Sequence, residues 1–270
     1  MKKLLIISSI LGTLIFSNAM AIELKENNSK IEKIFKDNKI NGTFIIYDIK
    51  NSKVIGYNKK RSEIQFPPAS TFKIFNSLIG LSTKAVKNSN EVFYKYDGSK
   101  MFLKSWEHDM NLKNGIKVSH VPAYQQLATM IGYDNMKLNI KNLEFGNKNI
   151  GKEKDLTTFW LQGPLKISAI EQTEILSKLA TKKLNYPKAI QEEVIEISKL
   201  DSGKNWTLYG KTGWGTKNVN IPIGWFVGWV KENDKIYSFA INMDIKTAKD
   251  LPLREDIAKK SLKALGLLRE

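Results

Sequence analysis

The sequence predicts an α+β fold in which an antiparallel β-sheet is flanked by N- and C-terminal helices and interrupted by a mostly helical insertion. Three observations lead to this prediction. Two short β-rich segments occur between residues 43 and 57, and three more follow between residues 206 and 243. Helical patterns broken by polar loops fill most of the chain from about residue 82 to residue 191. Helix signals also precede the first strand and follow the last one.

The first elements are marked by local signals. Ser29–Glu32 has the form of a capping box, which predicts a helix beginning at Ser29. Thr43–Ile49 and Val54–Tyr57 are rich in β-branched and aromatic residues and are separated by a polar turn, which predicts a hairpin. A further helix is predicted directly after Pro67-Pro68, because proline is tolerated in the first turn of a helix but not beyond it.

The C-terminal part contains the remaining sheet. Trp206–Tyr209, Trp225–Val230 and Ile236–Met243 are spaced as antiparallel strands joined by short turns. A last helix is predicted from about Arg254 to Leu268, with small and apolar residues along one face. Residues of about 22–65 and 195–270 therefore form the α/β part of one domain, and residues of about 66–194 form its helical part.

The N-terminus has the features of a secretory signal peptide. Lys2 and Lys3 precede an apolar run from Leu4 to Phe16, and small residues at Ala19 and Ala21 follow it. The apolar run is shorter than the roughly 20 residues that span a bilayer, so we expect cleavage after Ala21 rather than a retained membrane anchor. Residues 1–21 are thus predicted to direct export, most simply to the periplasm.

The mature chain would keep 249 of the 270 residues, enough for one large domain at residues 22–270. Cysteine is absent, which excludes disulfides and cysteine-based zinc sites, and with only two histidines we expect no metal. The net charge of +16 becomes +14 after cleavage. Because the lysines are interleaved with acidic residues and asparagines, we expect no nucleic-acid partner, although a positive field would favour a small anionic substrate. The oligomeric state is left open.

Ser70 and Lys73 form the most informative pair in the chain. Residues three apart on a helix share a face, so the Ser70 hydroxyl and the Lys73 amine can meet. A serine hydroxyl needs an adjacent base to become a nucleophile, and lysine can serve only where its surroundings lower the pKa. The apolar neighbours of this pair make such surroundings plausible, but Ser-x-x-Lys alone also occurs on ordinary solvated helices.

Three further motifs follow in an order that strengthens this interpretation. Ser119-His120-Val121 supplies a second hydroxyl beside an apolar side chain in a predicted loop. Trp160 is followed by Leu161 and a Gly-Pro turn, and a buried indole N–H there would require an acceptor. Lys211-Thr212-Gly213 follows a strand, and its glycine permits close approach of another backbone or a ligand.

Together these motifs resemble those of the penicillin-recognising serine enzymes, a superfamily with a serine β-lactamase/DD-peptidase-like fold. Within it, the combination is similar to class D β-lactamases, the oxacillinases, over residues from about 40 to the C-terminus. The resemblance rests on Pro68–Lys73, Ser119–Val121, Phe145–Asn147, Trp160–Gly163 and Tyr209–Gly213. Phe145 departs from the tyrosine that is usual in the family, so no role of that phenol is carried over.

The resemblance implies a mechanism and a set of site residues. Penicillin-type β-lactams would acylate Ser70, and Lys73, carboxylated by CO2, would be the general base for acylation and deacylation; no dissociable cofactor is implied. Ser119 and Lys211 would complete the catalytic set, and the Ser70 and Trp214 N–H groups would form the oxyanion hole. Substrate would be bound by Thr212, Gly213, Trp214 and Arg254, and the carbamate pocket would comprise Phe72, Val121, Trp160 and Leu161.

Two other functions share part of this pattern. A penicillin-binding DD-peptidase has the serine, the lysine and Lys-Thr-Gly, but usually an asparagine at the position of Val121. A β-lactam sensor domain is acylated without turnover and is usually tethered behind several membrane segments, unlike the single signal expected here. The histidines His108 and His120 are interpreted as incidental.

Overall fold

The computed structural model describes residues 27–216 and 219–269, built around a six-stranded antiparallel sheet. The strands are β1 (Gly42–Asp48), β2 (Lys53–Tyr57), β3 (Lys199–Ser202), β4 (Trp206–Gly215), β5 (Ile223–Glu232) and β6 (Lys235–Asp244). Their order across the sheet is β2-β1-β6-β5-β4-β3. The predicted signal peptide at residues 1–21 lies outside the described residues.

Helices precede, interrupt and follow the sheet. They are α1 (Ser29–Asp37), α2 (Lys59–Ser62), α3 (Lys73–Ser82), α4 (Leu112–Lys117), α5 (Val121–Ile131), α6 (Tyr133–Asn142), α7 (Ala169–Ala180), α8 (Lys188–Ile197) and α9 (Leu253–Ala264). Short 3-10 turns occur at Ala69–Phe72, Lys104–Trp106, Glu153–Asp155 and Ala248–Asp250. Within the described ranges, no helix is long and apolar enough to cross a membrane.

Helices cover both faces of the sheet because its strands alternate their apolar side chains. Phe44 and Ile46 of β1 belong to a core formed with α1 and α9, to which Phe35 and Ile257 contribute. Ile45, between them in sequence, belongs to the larger core shared with the helical part of the molecule. This period of two is the one expected of a strand buried on both sides.

Helix α3 lies at the centre of the larger core. Every residue from Lys73 to Leu81 is buried, so the helix is enclosed on all sides and not only along one apolar stripe. Lys73 is its first residue. The fold therefore carries a lysine side chain into an apolar interior at the N-terminal end of this helix.

The predicted fold class is confirmed, with differences at element boundaries. Helix α1 is capped by Asn28, whose side chain accepts from the backbone N–H groups of Lys30 and Ile31, so the predicted Ser29 capping box is wrong. Helix α9 ends at Ala264 and not at Leu268, because Gly266 adopts a left-handed conformation at φ +78°. Strand β3 was not predicted; its four residues are all exposed and show no apolar alternation.

Candidate active site

The Ser70 hydroxyl and the Lys73 amine meet as their spacing predicts. Lys73 Nζ lies 2.8 Å from Ser70 Oγ and donates a hydrogen bond to it. Ser70 is in the 3-10 turn Ala69–Phe72, which leads directly into α3, so the pair spans the junction of two helical segments. Ser70 is partly exposed while Lys73 is fully buried. Solvent can thus reach Ser70 but not the Lys73 amine that contacts its hydroxyl.

Hydrogen bonds from three parts of the fold hold this turn. The Ala69 N–H donates to the Trp160 carbonyl at 2.9 Å. Trp225 of β5 donates from its indole to the Pro67 carbonyl at 2.9 Å, and Gln172 of α7 donates to the Thr71 hydroxyl at 2.8 Å. Ala69, next to the serine, has a φ of +49°, a strained value for a residue with a side chain. Such strain persists only where surrounding contacts enforce it.

Strand β4 approaches the same turn from the other side at Gly213. A Cβ added at Gly213 would lie 3.0 Å from the Pro68 carbonyl oxygen and 3.0 Å from Thr71 Cγ2. The close approach that we predicted at this glycine therefore includes the turn that carries Ser70. Lys211, Thr212 and Gly213 lie inside β4, which continues to Gly215 and not only to Tyr209.

Burial and like charge lower the pKa of Lys73. Desolvation is the main cause, and the positive charge of Lys211 adds to it, so the pKa of Lys73 lies well below its ordinary value. Among the described residues, no carboxylate forms an ion pair with Lys73. Both effects favour the neutral form of this amine.

Lys211 and Arg254 are two further positively charged side chains near the Ser70 turn. Lys211 is 6% exposed, and burial together with the charge of Arg254 lowers its pKa to about 7, while Glu255 acts in the opposite direction. Arg254 is the second residue of α9 and donates from Nη1 to the Gly213 carbonyl at 3.0 Å. Lys73 thus adjoins the Ser70 turn, while Lys211 lies in the neighbouring strand β4 and Arg254 is hydrogen-bonded to it.

The aromatic residues beside Lys73 form a continuous cluster. Phe72 contacts the rings of Phe145, Phe159 and Trp160 at centroid distances of 5.3, 5.3 and 5.8 Å. Trp160 is fully buried, and its indole N–H has no hydrogen-bond acceptor within the described part of the chain. Leu161 is half-buried and packs against this core, and Phe145 is fully buried in it.

Ser119 and Val121 lie on either side of the start of α5. Ser119 is partly exposed and has a φ of +56°, and Val121, which we predicted in a loop, is the first residue of the helix. Between them, His120 is fully buried and caps α5, accepting at Nδ1 from the Ala123 N–H at 2.9 Å. His120 is therefore not incidental to the fold, since it caps α5.

An open cleft of about 640 Å³ lies beside β3, and its walls combine that strand with α4 and with Gly210, Lys211 and Thr212 of β4. Ser70 and Trp214 are not among the residues that line it. Trp214, further along the strand, is 41% exposed. No cluster of three or more potential metal ligands occurs in the ranges that the structure describes.

Some residues of the site carried no recognisable sequence signal. Lys73 Nζ lies 5.3 Å from the ring centroid of Tyr124, whose hydroxyl is within 2.8 Å of Ser77 Oγ. Tyr124 and Gln172 were predicted only as parts of the mostly helical stretch between about residues 82 and 191. Tyr124 contacts Lys73 and Gln172 contacts Thr71 through tertiary contacts, which a single sequence does not encode as a pattern.

Comparisons with known proteins agree with this geometry. Residues 42–263 match the family model of the penicillin binding protein transpeptidase domain. Beta-lactamase OXA-10 of Pseudomonas aeruginosa is 37% identical over 255 residues, covering 93% of this chain and 94% of that protein. The chain belongs to the class D serine β-lactamases.

A solved structure extends this class D assignment to the fold. The crystal structure of FUS-1 (OXA-85), a class D beta-lactamase from Fusobacterium nucleatum subsp. polymorphum, is 49% identical, with a TM-score of 0.88 over 90% of this chain and all of that one. Regulatory protein BlaR1 of Bacillus licheniformis is also similar, at 30% identity over 75% of this chain, but the match spans only 33% of its own length.

Proposed function

We propose that this class D enzyme hydrolyses the amide bond of penicillin-type β-lactam antibiotics through an acyl-enzyme on Ser70. The observation that carries the proposal is the 2.8 Å contact between the buried Lys73 amine and the partly exposed Ser70 hydroxyl. Only a base of lowered pKa can remove the hydroxyl proton at neutral pH, and burial lowers the pKa of Lys73. The strained turn at Ala69 supports the same role, since strain often accompanies a presented nucleophile.

Other residues would bind the substrate and stabilise the charge that develops. Arg254 and Lys211 would attract the carboxylate of a β-lactam to β4, beside Thr212 and Gly213. The backbone N–H groups of Ser70 and Trp214 would form the oxyanion hole, in which one donor typically contributes about 3–4 kcal/mol of transition-state stabilisation. Ser119 would pass a proton to the departing ring nitrogen.

Lys73 is also proposed to be carboxylated by CO2. The modification requires a neutral amine, and the lowered pKa of Lys73 supplies one. The product is an anion that needs donors, and Trp160, which packs against Phe72, offers a buried indole N–H with no acceptor among the described residues. Leu161 and Val121 would complete the proposed carbamate pocket. When present, the carboxyl group would supply an anionic general base next to Ser70.

Replacement of Lys73 tests the proposed base. Lys73→Ala should remain folded and lose about 100-fold or more of benzylpenicillin hydrolysis, because Ser70 no longer has a base. The rate is followed by the loss of β-lactam absorbance, and folding by circular dichroism. Lys141→Ala, at an exposed position in the last turn of α6, is the matched control and should hydrolyse at the unaltered rate. Hydrolysis by Lys73→Ala at a rate near that of the unaltered protein would contradict the mechanism.

A second experiment isolates the carboxylation. Dialysis against acidified, CO2-depleted buffer should lower activity, and bicarbonate should restore it. Isotope-labelled bicarbonate should give a carbamate carbon signal in the NMR spectrum that Lys73→Ala lacks. Trp160→Phe removes the indole donor, so it should require more bicarbonate for half-recovery. Identical progress curves with and without CO2, and no carbamate signal, would remove carboxylation from the proposal.

The two related functions give different results with excess benzylpenicillin. Continued turnover that Ser70→Ala abolishes identifies a β-lactamase. A single stoichiometric burst with a stable Ser70 adduct would indicate a non-hydrolytic sensor domain, to which the match with BlaR1 lends some support. Release of D-alanine from peptidoglycan stem peptides would indicate a DD-peptidase.

Export and antibiotic resistance belong to the same proposal. The basic and apolar N-terminus supports cleavage after Ala21, with release into the periplasm. N-terminal sequencing of protein from a periplasmic extract should begin at Ile22. Expression in a susceptible host should raise the inhibitory concentration of a penicillin, and the Ser70→Ala variant should not.

A further inference from the structure

Trp106 contacts the chain on both sides of Ser119. Its indole Nε1–H donates to the Val118 carbonyl at 3.0 Å. Its own carbonyl lies 3.0 Å from His120 Nε2. Ser119, between these two contacts, has a left-handed φ of +56°. Trp106, in a 3-10 turn, thus holds both Val118 and His120. Ser119 lies between them in a backbone conformation that is unfavourable for a residue with a side chain.

The hydrogen bonds of His120 assign its proton. Nδ1 accepts from the Ala123 N–H at 2.9 Å, so a neutral ring carries its proton on Nε2 and donates it to the Trp106 carbonyl. The ring is fully buried between Tyr94 and Trp106, with centroids 4.8 and 5.3 Å away. Burial lowers the pKa of His120 and so favours the neutral ring; the hydrogen bond to Trp106 acts in the opposite direction, and the charge of Lys73 adds to the lowering.

The helix cap at His120 is needed because a proline, Pro122, lies in the first turn of α5. Pro122 occupies the second position of α5 and has no N–H, so the Ala123 N–H is the donor that a cap at residue 120 can satisfy. Without an acceptor at residue 120 this buried N–H would be unpaired, and the first turn of α5 would lose its link to the Trp106 segment. Ser119 is the residue directly before that link.

We propose that His120, held by Trp106, is a positioning residue that fixes Ser119 for its proton transfer. The proposal rests on the role given to Ser119 above. A histidine that only fills the core would stabilise the fold without reference to the Ser119 hydroxyl. A histidine that acts through Ser119 matters to the reaction only while that hydroxyl is present, and this difference can be measured.

A double-mutant cycle separates the two roles. The rate of acylation by benzylpenicillin is measured in single turnover by mass spectrometry of the Ser70 adduct, for the unaltered protein, Ser119→Ala, His120→Ala and the double variant. We expect His120→Ala to slow acylation about tenfold or more when Ser119 is present, and less than about twofold when it is already alanine. His108→Ala changes the other histidine, which is exposed, and should have no effect.

Two further variants keep the test decisive if His120→Ala does not fold. His120→Asn should recover part of the acylation rate, because asparagine is a good helix cap and can accept from the Ala123 N–H but lacks the ring that contacts Trp106. Trp106→Phe keeps an aromatic ring but removes the donor to Val118, so it should slow acylation only when Ser119 is present. Equal losses with and without the Ser119 hydroxyl would overturn the positioning role. Full-speed acylation by Ser119→Ala would instead refute the role of Ser119 itself, and the proposal with it.

Discussion

Lys211→Met should stabilise the protein in a pH-dependent way while impairing turnover. Lys211 is nearly fully buried in β4, has no ion pair among the described residues, and donates only to the Thr212 carbonyl, at 3.1 Å. Methionine has a similar length and keeps the apolar stem packed. The substitution therefore removes a buried charge with little change in shape.

The expected magnitude follows from the pKa of Lys211. It falls from 10.5 to about 7, a difference of about 3.5 pH units, and each pH unit corresponds to about 1.4 kcal/mol. Between pH 7 and 10.5 the unfolded chain holds one more proton at this lysine than the folded chain does, so the free energy of unfolding rises with pH there. Below pH 7 the full penalty of about 5 kcal/mol is present.

The variant lacks this penalty but also loses one hydrogen bond, worth about 1 kcal/mol. Lys211→Met should thus be more stable by about 4 kcal/mol near pH 6, and this gain should shrink to nearly zero near pH 10. Denaturant unfolding is measured at both pH values in CO2-depleted buffer, because a negative charge formed at the nearby Lys73 would raise the pKa of Lys211. Lys199→Met, on the exposed β3, is the control and should show no such trend. A gain that is equal at both pH values, or no gain, would refute the reasoning.

Two more substitutions test the geometry around β4. Gly213→Ala introduces a Cβ 3.0 Å from the Pro68 carbonyl oxygen, so it should displace the Ser70 turn and lower the acylation rate about tenfold or more. As a control, Gly115→Ala meets only an ordinary 3.4 Å contact with Tyr124 and should leave the acylation rate unaltered. Equal acylation rates for the two variants would contradict the close approach at Gly213. Arg254→Lys keeps the positive charge but loses the planar guanidinium, so KM for a carboxylate-bearing β-lactam should rise about tenfold while kcat changes much less. A decrease confined to kcat would argue against carboxylate binding by Arg254.

The parts of the site that could be predicted are those encoded by short spacing. Ser70 and Lys73 are one helical turn apart, so their 2.8 Å contact follows from local geometry alone. The Lys211–Gly213 motif could be recognised because its residues are consecutive. Its glycine indicated that another segment or a ligand approaches the strand closely, and the structure shows that the Ser70 turn is one such segment. Strand β3 was missed because an exposed edge strand of four residues needs no apolar alternation.

His120 was missed for a different reason. Its function in the fold depends on Trp106, which is 14 residues away and separated from it by α4, so no periodicity connects the two. One usable signal was present: Pro122 favours the first turn of a helix, which predicts that α5 begins near residue 121 and is capped by His120. The same argument applied to Pro67-Pro68 did locate the Ser70 turn.

The buried lysines of the site lower the stability of the fold, but their lowered pKa values suit the proposed reaction. Lys73 and Lys211 are buried close enough to lower the pKa of Lys73, and no described carboxylate forms an ion pair with either. Two unpaired buried amines destabilise a folded chain, whereas the pair formed by Arg61 and Asp244, at 2.7 Å, shows that the same sheet can accommodate a compensated charge. A carboxylate side chain beside Lys73 would remove this destabilisation, but it would also raise the pKa of the amine and protonate the base that Ser70 requires. Under the proposed mechanism, the compensating negative charge would come from the substrate carboxylate or from carboxylation of Lys73, which would tie the stability of this region to its chemistry.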